Sequence, residues 1–441
     1  MELNDVLAEL GITDRIDAFS PGWKESVACY PYPHPSFLNP PHIIAARNMA
    51  HLDPAVDGAL IRTAGIISLK PALSFFIWHC YRLLFFKQDY FQFSKWPKLT
   101  RVLGDDWGVF YLLIILDSVK RTVAYHHARG IPEAVTEGVL ADYGIGVARF
   151  ARFHGGLIGT PHTHIGWYRN HPGGGLYRLG RLQYVPNPCR YAVRMFRHAA
   201  TGETLMLSEP EIKYTGDGFI DSIAGHEDKE HGWISSLDYD GEHIIGNPIL
   251  PTGRALRRKI RIPARVWNDA VKRDDTLLAM HIPEGGGMGM DVCKSSMEET
   301  LSFFPKYVPE QPSKGIMCAS WLFNPELEDF YNRESNLVRY QQELYLFPVH
   351  SSGTDGVYFI FDRETVGDPA ALPRDTSIRK ALAERLASGG VLRNGGMMYL
   401  NEDLPKFGAQ HYRRQPWVQA IIAGDAAALK RSDIGLLPDA F

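Results

Sequence analysis

Residues 275–290, DTLLAMHIPEGGGMGM, constrain this chain more than any other stretch. Residues 277–282 form a short apolar run containing one histidine, Pro283 stops it, and a block of glycines leads into Asp291-Val292-Cys293, where a helical pattern begins. This reads as strand, glycine loop, helix. Glycines permit positive φ and close approach, and the first N–H groups of the following helix have no partner inside it, so they point at whatever sits there. An anion, typically a phosphate, is the expected guest. A glycine loop on its own reads first as an ordinary strand-to-helix turn, so the rest of the chain has to decide.

With 441 residues the chain can bury a large core and has room for two or three domains. Its formal charge of −3, with both signs interspersed, argues against nucleic acid or a charged membrane surface and for small molecules or proteins as partners. The five cysteines (Cys29, Cys80, Cys189, Cys293, Cys318) are scattered, odd in number and without metal-like spacing, which fits a reducing compartment. The N-terminus MELNDVLAELGI is acidic and amphipathic, unlike a signal peptide. The most hydrophobic stretch, 72–86, is interrupted by His79 and Arg82 and is short for a bilayer. These features predict a buried helix in a cytoplasmic protein, with no bound metal.

Before about residue 155 the pattern is helical, with apolar residues at helical spacing in 43–50, 73–86, 108–130 and 132–153. A first helix from Asp5 ends at Gly11, a proline-rich connector follows, and Pro132 takes a first helical position. The aromatic residues Phe75, Phe76, Trp78, Phe85, Phe86, Tyr90, Phe91 and Trp96 read as core. From Trp167 the pattern turns to strands over 176–185, 191–197, 204–207, 232–237, 242–245 and 254–262, with hairpin turns at Ala200-Thr201-Gly202 and Tyr239-Asp240-Gly241. A helix over 264–272 precedes the organising strand. After the loop come a helix through Tyr307, a strand over 315–323, a short helix opened by Asn324-Pro325-Glu326, and strands over 337–348 and 357–362. The division is 1–165 helical, 166–400 mixed α+β, and 401–441 an extension ending in Leu436-Leu437-Pro438, an arm packing on the body.

The order of elements around the loop resembles the acyl-CoA-binding half of the GNAT superfamily of N-acyltransferases. There a central strand runs into a pyrophosphate-cradling loop, Gln/Arg-x-x-Gly-x-Gly/Ala, and then a helix. Glu284-Gly285-Gly286-Gly287-Met288-Gly289 matches both glycine positions, with Glu284 where the pattern has Gln or Arg. More specifically, Gly180-Arg181-Leu182-Gln183, His281-Ile282-Pro283-Glu284-Gly285-Gly286, Ser320-Trp321-Leu322 and Ser335-Asn336 resemble a group of two-domain bacterial acyltransferases over roughly residues 96–400. The resemblance implies an α+β fold in which a helical N-terminal domain, shaping the acceptor side, precedes a GNAT-like mixed or antiparallel sheet with flanking helices. It also implies direct transfer of an acyl group from acyl-CoA to an amine acceptor. Ile282, Gly285, Gly286, Gly287, Met288, Gly289, Ser320 and Asn336 are then the expected coenzyme contacts. A carboxylate near a pyrophosphate is repulsive, so the departure at Glu284 keeps a pantetheine thioester on an acyl carrier protein as an alternative donor. A non-catalytic acyl-CoA sensor and a thioester hydrolase on the same scaffold are the other readings.

His281, at the strand end beside the loop, is either a core histidine fixing that end or a neutral imidazole that takes the proton of an attacking amine. Glu284 is the rival base. Tyr331, at the end of the short helix, stands where GNAT enzymes often keep a tyrosine that protonates the departing thiolate; it is otherwise one exposed tyrosine among many. Ser320, Ser335 and Asn336 hydrogen-bond either a pantetheine or their own loops. His162, His164 and His171 lack a carboxylate or cysteine to complete a metal set and are expected on a surface loop. Arg178, Arg181 and Gln183 are read on one strand, with Arg181 and Gln183 on one face. Arg254, Arg257, Arg258, Lys259 and Arg261 are read as one basic strand facing either solvent or an adenosine phosphate. Cys293, at a helix start, is the candidate for a lowered thiol pKa. No Gly-x-Ser-x-Gly elbow marks a hydrolase.

Overall fold

A helical stretch that is apolar all round must be surrounded by protein, and the first half of Trp107–Ala128 is one, with every side chain from Val109 to Leu116 buried. In this computed structural model, which describes residues 1–437, that helix is the centre of a helical unit, Met1–Leu179. Pro40–Met49, Asp57–Leu69, Pro71–Phe85 and Glu133–Phe153 pack around it or on one another. Four of these five helices lie where the apolar spacing predicts them. Asp57–Leu69 does not stand out in the sequence, and Pro132 is the N-cap rather than the first helical residue. Phe75, Phe76, Phe85, Tyr90 and Trp96 are core, whereas Phe86 and Phe91 are exposed. Among the described residues no single helix is long and apolar enough to cross a membrane.

The segment with the three histidines corrects its expected surface placement, since His162 and His171 are buried. Its 3-10 turns, His162–Asn170, carry Arg169 to the end of the helix Pro71–Phe85. There Arg169 donates to the carbonyls of Leu83 (2.7 Å), Leu84 (2.6 Å), Lys87 (2.7 Å) and Tyr90 (2.6 Å). Helix C-termini leave such carbonyls without intrahelical partners, and one guanidinium answers several.

From Gly180 onward the chain forms a second unit. Its site-bearing strands are β1 (Leu182–Pro188), β2 (Thr276–His281), β3 (Gly315–Ser320), β4 (Tyr345–Pro348) and β5 (Gly395–Leu400), in the order β1-β2-β3-β5-β4. β2 and β3 run parallel and the other neighbours antiparallel. Helix α1 (Met290–Tyr307) follows the glycine loop and α2 (Asn336–Glu343) precedes β4. A five-stranded antiparallel sheet is built from Val193–His198, Thr204–Ser208, Pro248–Leu250, Arg254–Ala255 and Trp267–Val271, and both expected hairpin turns are present.

Several elements differ from the sequence expectation, among them 232–237, split between Trp233–Ile234 and Leu237–Tyr239 in different sheets, and 315–323, whose strand ends at Ser320 before the 3-10 turn Trp321–Phe323. The run 176–185 is two strands, Tyr177–Leu179 and β1, parted at Gly180-Arg181, so Arg181 lies in a turn and not on a strand face. Residues 264–272 contain the strand Trp267–Val271 rather than a helix. Trp267 and Val271, four apart, suit helical and extended periods alike, and a bulge between Asp269 and Val271 removes the alternation that separates them. Residues 337–348 are α2 and then β4, the helix being opened by Ser335, whose Oγ accepts from the Val338 N–H at 3.2 Å. Residues 357–362 hold the helix Val357–Phe361, which buries Val357, Ile360 and Phe361 at helical spacing. The basic run 254–262 is split between Arg254–Ala255 and Ile260–Pro263 in different sheets. Beyond residue 400 the chain forms helices Pro416–Ala423 and Ala426–Arg431 and the strand Gly435–Leu436, which pairs with Ile260–Pro263. The Pro438 end of the expected arm lies outside the described residues.

Candidate active site

Between β2 and α1 the loop turns on Gly285 (φ +84°) and Gly286 (φ +69°), left-handed conformations that favour glycine. Gly289 is the extended N-cap of α1. A Cβ at Gly285 or Gly287 would meet no atom within 4 Å, so the loop presents an open backbone face. Its other side is held by Arg181. The guanidinium donates from Nη1 to the Pro283 carbonyl (3.0 Å), from Nε to that of Gly287 (3.0 Å) and from Nη2 to that of Gly286 (3.4 Å). In a planar trans peptide the N–H opposes the C=O. The three bonds therefore turn the N–H groups of Glu284, Gly287 and Met288 away from Arg181, beside the first turn of α1. Outward N–H groups at a helix N-terminus suit an anion such as a pyrophosphate. Glu284 and Asp291 are exposed.

The register of β1 on β2 sorts the neighbouring side chains. Tyr184 opposes Met280, and Gln183 opposes His281. The Tyr184 hydroxyl shares a 3.1 Å hydrogen bond with Ser296 of α1, and Tyr340 of α2 donates to the sulfurs of Met280 (3.6 Å) and Met297 (3.3 Å). Both helices thus cover the Tyr184 and Met280 face. Alternation along a strand puts His281 and Gln183 on the opposite face. His281 is half-buried there, beside the buried Gln183.

β2 and β3 are paired only at Leu278 with Ile316 and Ala279 with Met317. Beyond that point β2 continues on β1 through His281, and β3 continues on β5 through Ser320. The two parallel strands part at their C-terminal ends, next to the glycine loop. Open sheets hold ligands beyond the carboxyl ends of parallel strands, and Ile282 begins the loop at this gap. Ser320 follows at the end of β3, with its Oγ accepting from the Leu322 N–H at 3.2 Å, and the exposed Asn336 opens α2.

Other candidates are placed elsewhere. The Tyr331 hydroxyl shares a 2.9 Å hydrogen bond with Ser377, and its ring packs on the cluster around Leu327 and Val357. No contact brings it to the loop among the described residues. Cys293 is buried and its thiol is pushed up to about 11, contrary to the lowered value expected at a helix start, because desolvation outweighs the nearby Arg181 charge. Burial pushes Cys318 up to about 12. Arg254 pairs with Asp329 at 3.2 Å and lies over the Phe219 ring, while Arg258 donates to the Leu437 carbonyl. Among the described residues no group of His, Cys, Asp or Glu could hold a metal ion. The role of Arg181 escaped the strand reading; a glycine inside an alternating run, Leu179-Gly180-Arg181-Leu182, was the available sign of a turn.

Residues 176–398 match the model of the GNAT-like C-terminal domain, and residues 45–171 match that of the N-acyltransferase N-terminal domain. No curated protein matches the chain. Among solved structures, an acyltransferase in complex with decanoyl-CoA and teicoplanin is 18% identical with a TM-score of 0.61. A mutant acyltransferase in complex with octanoyl-CoA and an acyltransferase in complex with CoA and 10C-teicoplanin are each 17% identical, with TM-scores of 0.60. Each alignment covers 91% of this chain and 99% of the other. At these identities the likeness is one of fold.

Proposed function

Because the chain belongs to the N-acyltransferases that combine an N-acyltransferase N-terminal domain with a GNAT-like C-terminal domain, we propose that it moves an acyl group from acyl-CoA directly to an amine on a small-molecule acceptor. The observation that carries this reading is the open face of the loop between β2 and α1, with its N–H groups turned outward by Arg181. Acyl-CoA supplies an activated thioester carbonyl. The backbone of Gly285, Gly286, Gly287, Met288 and Gly289 holds the pyrophosphate, and Ile282, Ser320 and Asn336 border the pantetheine arm. His281 takes the proton from the attacking nitrogen as the C–N bond forms and the C–S bond breaks. Glu284 is the rival base, and Tyr331 is proposed to protonate the thiolate, which Tyr331→Phe tests as a fall in kcat. The folds solved with octanoyl-CoA, decanoyl-CoA and teicoplanin support a medium-chain donor and a small-molecule acceptor.

The deciding experiment is calorimetric titration with CoA, acetyl-CoA, octanoyl-CoA and decanoyl-CoA, alongside a Gly287→Val, Gly289→Val double variant. Neither glycine has a positive φ, and a Cβ added at either would meet open space or, for Gly289, Val292 at 3.4 Å. The variant is therefore expected to fold and to lose the ligand. Binding that survives the double substitution moves the coenzyme out of the loop, and absence of binding by the unaltered protein overturns the proposal.

A further inference from the structure

The coenzyme loop contains few side chains that could fix its shape, and glycine is the residue with most backbone freedom to lose on ordering. Two of its residues adopt left-handed conformations, and open space surrounds Gly285 and Gly287. Arg181 reaches it from about a hundred residues away in the chain and bonds three of its carbonyls. The residue is itself well placed. Gly180, at φ +56°, turns the chain just before it. The next residue, Leu182, is fully buried, and its N–H donates to Ser296 of α1 at 3.2 Å. The base of the Arg181 side chain is thus anchored to the same helix whose N-terminus the loop opens.

We propose that Arg181 is a positioning residue for the acyl donor: its forked guanidinium draws the carbonyls of Pro283, Gly286 and Gly287 to one side, which fixes the outward N–H groups that hold the coenzyme pyrophosphate. This rests on the reading of the loop as the coenzyme site. The geometry of the fork is what matters. Three donors spread over one plane match three carbonyls spread along a turn, and an ammonium, being a compact point charge, cannot span them. A contact in which Arg181 simply attracts the phosphate charge would be kept by lysine. The clamp would not.

The test compares Arg181→Lys and Arg181→Gln with the unaltered protein by calorimetric titration of CoA and decanoyl-CoA, and by amide hydrogen exchange of residues 284–288 without ligand. Loss of charge-assisted bonds to the loop is expected to weaken binding of both ligands by about tenfold or more in the Lys and Gln variants alike. Exchange in 284–288 is expected to quicken while that of β2 and α1 stays unchanged. With an acceptor in hand, KM for the donor should rise and kcat at saturation should stay within a few-fold, because the clamp acts on donor binding and not on the reacting atoms. Arg181→Lys that binds as the unaltered protein does, with the same exchange, overturns the clamp and leaves the coenzyme reading standing. If the unaltered protein binds neither ligand, both fall. Should Arg181→Lys fail to fold, Arg181→Gln, which removes the charge and keeps one donor group, decides on the same two readouts.

Discussion

His281 and Gln183 face one another across β1 and β2 on the side of the strand that α1 and α2 leave to other partners. A base at this point lies beside the gap between β2 and β3, whereas Glu284 is three residues further on and exposed. His281→Ala is therefore expected to lower kcat/KM by about 10²- to 10⁴-fold, the usual contribution of a general base, with acyl-CoA affinity nearly unchanged. Glu284→Gln should cost far less. Steady-state rates beside calorimetry check this, and the reverse order would make Glu284 the base. The two cysteines near the site give a second prediction. Their thiols, raised to about 11 and about 12, stay protonated at neutral pH and are poor nucleophiles. Cys293→Ala should retain activity, and intact mass after mixing with acyl-CoA should show no acylated protein; a stable adduct would revive a covalent route. The place of His281 at a strand end was legible in the sequence because a lone polar residue at the end of an apolar run stands out. The turn at Arg181 was not, because the one sign of it, Gly180 inside an alternating run, also fits a bulged strand until φ is known.

At the scale of elements, legibility followed length. The long helices Pro71–Phe85, Trp107–Ala128 and Glu133–Phe153 repeat their apolar spacing over enough turns to exclude a strand. Val357–Phe361, a run of five apolar residues, cannot declare a period, and α2 hides its helix by burying Gln341 and Glu343, polar residues that a pattern reading places outside. Gln341 donates through Nε2 to the carbonyls of Leu322 at 2.6 Å and Asn324 at 3.3 Å, and Glu343 accepts from the Gly408 and Gln410 N–H groups at 2.8 and 2.9 Å. The same concealment affects buried histidines in the helical unit. His79, His126 and His162 are each held down to about 4, mainly by burial. Charges add to it, from Arg82 on His79, from His171 on His126, and from Lys98 and Arg15 on His162. An unfolded histidine titrates near 6.5, so between that value and about 4 the unfolded chain binds more protons than the folded one. Stability is therefore fully present above pH 6.5 and is lost as pH falls toward 4, by up to about 3 kcal/mol for each site. Melting of the helical signal at pH 7.5 and pH 5 should show the midpoint fall, and His126→Gln should reduce the difference. A midpoint independent of pH over this range would mean that these side chains are solvated.

For the second unit as a whole, the question is whether residues after 400 are a removable arm or part of the body. The contacts favour the body. Asp403 is buried against His411 (3.5 Å), Arg197 (2.6 Å), Lys406 (3.0 Å) and the Tyr412 hydroxyl (3.1 Å), and against the cost of burial His411, Arg197 and Lys406 hold it well below the usual carboxylate range. The Thr204 N–H donates to Gln415 at 2.6 Å, and the Trp417 indole donates to the Thr204 carbonyl at 2.9 Å, so a strand of the five-stranded sheet takes hydrogen bonds from this segment. Trp417, Leu429 and Ile434 are buried. The Tyr412 hydroxyl accepts from the N–H of Leu400, the last residue of β5. Glu343, answered by Gly408 and Gln410, belongs to the helix whose Tyr340 steadies Met280 beneath His281. Removing a buried tryptophan alone costs about 3–5 kcal/mol, and whole domains are stable by only about 5–15 kcal/mol. A chain ending at residue 400 is thus expected to be insoluble, or to lose both its cooperative melt and its acyl-CoA binding. Asp433→Asn, which suits the left-handed backbone there (φ +55°) and removes only the charge of a half-exposed partner of His198, should cost less than about 1 kcal/mol. If the shortened chain melts cooperatively and still binds acyl-CoA, the terminal segment is an accessory arm, and the path from Glu343 through Tyr340 to the strand under His281 does not govern the site.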